Sequence, residues 1–179
     1  MKTSPTAIRI LCCLCMLLPL RLAAADSASS NTLERDAVIE LITRQLDAWA
    51  SGDLEEFKAT LHPDVVFAWP GKRLDFDGVV EAFKGWREAF HETEIVYYRW
   101  VIDGEQFALE YRFSSTRIST GARQSVGNVA IGEIRDGRIL VLKEYLDGRV
   151  SRLQEAGELR LDEGEPPFPW PDTPESRIP

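Results

Sequence analysis

Lys143-Glu144-Tyr145-Leu146-Asp147 closes the last extended segment of the chain. Its side chains alternate by face: Leu140, Leu142, Glu144 and Leu146 on one side, Val141, Lys143, Tyr145 and Asp147 on the other. The leucine-rich side is the one expected to face helices and a pocket, which sets one carboxylate among leucines. Working back from this word, Asp136-Gly137 makes a tight turn between Val126–Ile134 and Ile139–Asp147. Phe107, Leu109, Tyr111 and Phe113 alternate with Ala108, Glu110, Arg112 and Ser114, and Asp103-Gly104 joins them to the β-branched and aromatic run Ile95–Ile102. Four successive strands are therefore expected.

Before them the period is helical. Leu33, Ala37, Val38, Leu41, Ile42, Leu46 and Trp49 form one stripe, opened by a capping box at Asn31 and Glu34 and closed by Ser51-Gly52-Asp53. Asp53 with Glu56 opens a short helix carrying Leu54, Phe57 and Leu61, which Pro63 stops. His62-Pro63-Asp64 leads into a short strand, Val65 to Trp69, ended by Pro70-Gly71. Asp77 is the expected N-cap of a third helix with the stripe Val79, Val80, Phe83, Trp86 and Phe90. Helices followed by a run of antiparallel strands read as α+β.

This order of elements over about Asn31 to Leu153, with the closing word at 143–147, resembles the nuclear-transport-factor-2-like superfamily, in its SnoaL-like and ketosteroid-isomerase-like branch. The resemblance implies a cone: three N-terminal helices packed on a curved, mostly antiparallel β-sheet, with a pocket between them. It also implies a role for Glu144, because limonene-epoxide-hydrolase-like members carry an acidic catalytic residue at the matching position of an Arg-Asp-Tyr-Phe-Asp word. Asp147 is either a second carboxylate at the pocket rim, as a SnoaL-like cyclase would have, or a loop-entry aspartate before Gly148.

Other catalytic sets of the superfamily do not carry over. The isomerase base would stand at Trp69, before Pro70; the helix-borne tyrosine of its oxyanion hole matches Gln45; the second oxyanion-hole carboxylate falls near Ala130. The hydrolase-like Arg-x-Asp pair falls on Tyr111 and Phe113, or on Arg112 and Ser114 one residue over, so its aspartate is missing in either register.

What remains is an apolar pocket with Gln45, Tyr111, Asn128 and Glu144 as its polar groups and Trp49, Trp69, Phe83 and Trp86 as aromatic walls, unless those aromatics are plain core. The mixture suits a small apolar or aromatic molecule. Desolvation of Glu144 would raise its pKa and fit it for proton transfer, or a single structural partner would satisfy it. Two readings stand, a small-molecule binder without catalysis, or an isomerase, cyclase or hydrolase using Glu144, with or without Asp147; a third is an assembly module that dimerises through the outer sheet face.

Composition narrows the partners. His62 and His91 have no ligand-like spacing, and no Gly-rich phosphate loop or Gly-x-Ser-x-Gly elbow occurs, so neither metal nor cofactor is expected. Residues 1–25 read as a cleavable signal peptide. Lys2 and Arg9 precede the apolar run Ile10–Leu20, too short to span a bilayer, and Ala23-Ala24-Ala25 supplies the cleavage site before Asp26. The expected location is periplasmic or secreted. Cys12, Cys13 and Cys15 are the three cysteines of the chain and all fall in this leader, so the mature chain would form no disulfide. Removing Lys2, Arg9 and Arg21 would take the net charge from −8 to −11, which repels nucleic acid and anionic membrane surfaces. After a polar linker, 26–30, the domain is expected over 31–155. A Pro-rich tail fills 156–179, six of the ten prolines lying beyond Glu165, with Phe168 and Trp170 either solvated or docked on the domain or a partner. A homodimer is expected through the outer sheet face, where Tyr97 or Tyr98, Arg99, Trp100 and Arg112 are large groups to leave in water.

Overall fold

The computed structural model describes residues 25–165, with side chains from Arg35 onward. The leader ahead of Ala25 and the tail with Phe168 and Trp170 lie outside the described residues. Helix α1 runs Ala25–Ser51, α2 Leu54–Thr60, strand β1 Leu61–Trp69, β2 Lys72–Leu74 and α3 Phe76–Ala89. Then come β3 Phe90–Asp103, β4 Gln106–Arg117, β5 Arg123–Arg135, β6 Arg138–Leu146, a short helix α4 at Arg149–Glu155 and a 3₁₀ turn at Leu161–Glu163. The six strands form one sheet in the order β2-β1-β6-β5-β4-β3, antiparallel except for β1 beside β6. Helices and sheet make an α+β fold with the expected curved, mostly antiparallel sheet.

Most of the stripes read from the sequence pack, but Ala37 is exposed, and Leu61 and Phe90, expected on helices, open strands β1 and β3. Val38, Leu41, Ile42 and Leu46 of α1, Phe57 of α2 and Val79 and Phe83 of α3 meet Phe67, Leu109, Tyr111, Ala130, Ile139 and Leu142 of the sheet in one core. The Asp53 side chain accepts from the Glu56 N–H at 3.0 Å and caps α2 as expected.

Several boundaries differ. The stretch 26–30, expected as a linker, continues α1, which begins at Ala25. The N-cap of α3 is Asp75, which accepts from Gly78 N–H, and Asp77 lies inside the first turn. Strand β1 starts at Leu61, ahead of His62-Pro63-Asp64. The pairing with β6 skips between Leu61 and Val66, and that bulge accommodates a proline that has no N–H to donate. Pro70-Gly71 turns the chain back into β2, a strand too short to show a period.

Strand β3 carries the largest surprise. Its register with β4 shifts between Tyr97 and Arg99, so the alternation of faces is broken there. Tyr97 and Trp100, three residues apart, both turn inward, and their rings stack at 6.0 Å. Trp100 is 8% exposed and belongs to the core, not to the outer face.

The chain after Asp147 is also more than a tail. Strand β6 ends opposite Asn128, leaving the adjoining edge of β5 unpaired from Gly127 back. The segment from α4 to Glu165 closes that edge. The Gln154 amide accepts from Ser125 N–H and donates to Ser125 C=O, both at 2.8 Å, imitating a strand partner. Gly127 N–H then donates to Gly164 C=O at 3.1 Å. A side chain on Gly164 would strike the Ser125 carbonyl, since its Cβ would sit 1.9 Å away. Packing therefore extends to Glu165, past the expected boundary at 155.

Candidate functional site

Rows across the sheet explain how the inner face acquires a polar group. Leu109, Ala130 and Glu144 lie side by side on β4, β5 and β6; Tyr111, Asn128 and Leu146 form the next row. Ala130 contributes only a methyl group beside Glu144. Tyr111 reaches diagonally over β5, and its hydroxyl donates to Glu144 Oε1 at 2.6 Å. The Tyr111 side chain is fully buried, whereas Glu144 keeps a part of its surface accessible.

Burial holds the Glu144 carboxyl above the ordinary glutamate range; the bond from Tyr111 pulls in the opposite direction and is the smaller effect. The Tyr111 phenol is raised well above its usual value by burial first and by the neighbouring Glu144 charge second. The tyrosine thus remains a neutral donor, while Glu144 is poised to hold or release a proton closer to neutrality than a free glutamate would be. That is the requirement for a general acid or base, and equally for a carboxyl that accepts and donates to a polar group of a ligand.

A second pair stands next to the first. Tyr97 is the cross-strand partner of Tyr111, and its hydroxyl donates to Asp47 Oδ1 of α1 at 3.1 Å. Burial, then the Asp47 charge, raises the Tyr97 phenol as well. The sequence reading missed this pair: the bulge that turns Tyr97 inward leaves no mark in the alternation of β3.

The remaining expected site residues divide. Gln45 is buried on α1, and its Oε1 has no hydrogen-bond partner among the described residues. Asn128 turns its amide back on its own strand, donating to Val126 C=O at 2.9 Å. Trp49 packs edge-on against Phe57 and Phe83, each at 5.2 Å, and Trp86 stacks on Phe90 at 4.0 Å. Trp49, Phe83 and Trp86 are thereby joined into one aromatic cluster between helices and sheet. Trp69 is half-buried at 6.1 Å from Phe67, on the strand that flanks β6.

Asp147 does not join Glu144. It is ion-paired with Arg149 at 2.5 Å and also accepts from Arg149 N–H. These bonds hold its carboxyl down at about 2. The carboxylate is exposed and held by arginine at the entry to the loop before Gly148. His62 is structural: its Nδ1 accepts from Asp64 N–H at 3.1 Å within the β1 bulge.

Comparison with known proteins agrees with this fold. A family model described as a SnoaL-like domain matches residues 42–142, more than half of the chain. No curated protein sequence matches. A solved LEH-like epoxide hydrolase of M. tuberculosis is similar at a TM-score of 0.60 and 19% identity, over 72% of this chain and 92% of that one. A putative isomerase from Bacillus subtilis aligns at 0.62 and 17% identity, over 72% and 98% of the two chains. A putative polyketide cyclase from Xanthomonas campestris aligns at 0.58 and 18% identity, over 68% and 98%. At such identities the likeness speaks for the fold alone.

Proposed function

This chain belongs to the SnoaL-like family, and from that premise we propose that it is an exported protein that binds a small, largely apolar molecule on the inner face of its sheet. The observation that carries the reading is the Tyr111–Glu144 pair, a 2.6 Å hydrogen bond on an otherwise apolar face, with Glu144 half-buried. Apolar sites fix their ligands with few polar groups, and this pair supplies one acceptor and, when Glu144 is protonated, one donor. Trp69 on the flanking strand offers an aromatic surface beside it. Export rests on the leader at 1–25, with its apolar run and small-residue cleavage site.

Native mass spectrometry of protein purified from an exporting Gram-negative host tests the binding. The expected result is a mass above that of the polypeptide, lost on denaturation. A bare polypeptide mass, together with no thermal shift from a panel of apolar alcohols, ketones and lactones, would sink the reading.

Catalysis is the second reading, and the raised Glu144 pKa is what favours it. Glu144 would take a proton from, or give one to, the bound molecule, with Tyr111 holding the carboxyl in place. Similar structures are named for epoxide hydrolysis, isomerisation and cyclisation, so the likeness selects no reaction. Glu144→Gln separates the readings. A binder keeps its affinity for the co-purified molecule; an enzyme keeps affinity but loses conversion of it.

A further inference from the structure

The segment Arg149–Glu165, which closes the free edge of β5, is held mainly by polar contacts. Leu153 and Leu161 stay exposed and Val150 is half-buried, so little apolar surface fixes it. Gln154 clasps Ser125 with two hydrogen bonds, Gly164 C=O accepts from Gly127 N–H, and Glu155 meets Arg117 at 3.2 Å near solvent. A segment fastened in this way can open while the core stays folded. Its last fastening is a buried carboxyl. Glu165 is 8% exposed and lies over Gly127, the cross-strand partner of Arg112; a Cβ on Gly127 would come 2.7 Å from Glu165 Cγ. Glu165 Oε1 accepts from the Tyr98 hydroxyl at 3.0 Å, while Oε2 has no hydrogen-bond partner among the described residues. Arg112 Nε stands 3.9 Å from Oε1, too far for a hydrogen bond, and is itself buried without a partner among them. Glu110, two residues along β4, brings a like charge. Asp147 and Arg149 share the 520 Å³ cleft beside Glu165 but are paired with each other.

We infer that Arg149–Glu165 is a strap latched by the Glu165 carboxyl, seated most firmly when that carboxyl is protonated and loosened from the β5 edge as it ionises. A carboxylate with one oxygen buried and unpaired is costly, and the neutral acid is less so. Burial, the largest effect, raises the Glu165 pKa; the Tyr98 bond and the Arg112 charge lower it, and the Glu110 charge adds to the rise. On a released strap the same carboxyl is a free glutamate, with a pKa of about 4.3. Below that value it is protonated in both states and the hold is complete. As pH rises through the higher value of the seated carboxyl, the hold is progressively lost. Release bares the backbone of Ser125 and Gly127 and opens the cleft on its strap side, where Val150, Gly164 and Glu165 form the wall.

Amide hydrogen exchange of the full chain, followed by NMR between about pH 4 and about pH 8 and corrected for the intrinsic rate at each pH, tests this. Protection of the Gly127 amide is expected to fall about threefold or more across the range, while Leu109, in the middle of β4, keeps its own. Glu165→Gln keeps an acceptor for Tyr98 and removes the charge, so its Gly127 protection should not depend on pH. Arg112→Met removes the cation that favours the ionised form, and its Gly127 protection should fall further than that of the wild type. Constant protection at Gly127 in the wild type overturns the inference, as does an equal fall in Glu165→Gln. Protection that rises with pH overturns it too, because Glu165 would then be seated as the anion of Arg112.

Discussion

Glu144 combines a carboxyl with an apolar neighbourhood, and the two effects on its pKa oppose each other. Burial raises it and is the larger; the Tyr111 hydroxyl lowers it. A carboxyl with a folded pKa above its unfolded value costs stability as pH rises. The cost is absent below the unfolded value of about 4.3, grows as pH climbs toward the folded pKa, and is complete above it. Glu144→Gln keeps the acceptor for Tyr111 and removes the charge. The variant is therefore expected to match the wild type below about pH 4 and to be the more stable at pH 7, as read from urea denaturation at a series of pH values. A variant less stable at pH 7 would show that Glu144 is held there as a satisfied anion. Tyr111→Phe acts in the other direction. It strips Glu144 of its donor, at a cost of about 1–3 kcal/mol, and should raise the carboxyl pKa further, which carbon NMR of the Glu144 carboxyl would follow. Glu144 was legible because a single acidic residue interrupts a leucine alternation. Its partner was legible only as a member of the inner face, because the diagonal reach across Ala130 depends on strand register.

Strands explain both what the sequence disclosed and what it hid. Where pairing is regular, as between β4 and β5, alternation alone assigns every side chain to its face. At the bulge between Tyr97 and Arg99 the rule fails, and with it the placing of Trp100 and of the Tyr97–Asp47 pair. Two elements make this argument testable. Gly132 lies where a Cβ would come within 2.2 Å of the Val141 carbonyl and 2.5 Å of the Phe107 ring. Backbone and a buried ring cannot give way cheaply, so Gly132→Ala is expected to destabilise by about 1–3 kcal/mol, measured by chemical denaturation. An unchanged midpoint would mean that β5 and β6 stand further apart there. Gln154 substitutes for a missing strand at Ser125. Gln154→Leu keeps the volume but leaves the Ser125 N–H and C=O unpaired, for a loss of about 2 kcal/mol or more and faster hydrogen exchange at the Ser125 amide. Undiminished protection at Ser125 would show that the edge is closed by other means. No pattern in the sequence announces this segment, since one side-chain amide performs the work of a strand.

At the scale of the molecule, the succession of helical and extended periods was enough to give the α+β class, because each element must bury its stripe and few layer arrangements allow that; the family came from the resemblance of that order, with the word at 143–147, to known members. The last turn of the chain onto the sheet was not legible, as it rests on single hydrogen bonds and on the small size of Gly127 and Gly164. The leader makes a separate claim about how the folded chain is held together. Cleavage after Ala25 would remove Cys12, Cys13 and Cys15 and leave a protein beginning at Asp26, close to the start of α1. A chain of about 150 residues is large enough to be stabilised by its core alone. The exported form is therefore expected to begin at Asp26 by N-terminal sequencing, to titrate no thiol, and to melt at the same temperature with and without reductant. An exported form that retains Met1 would refute the cleavage. A midpoint lowered by reductant would require a disulfide, hence a retained leader, and would move part of the stability from the core to a cross-link.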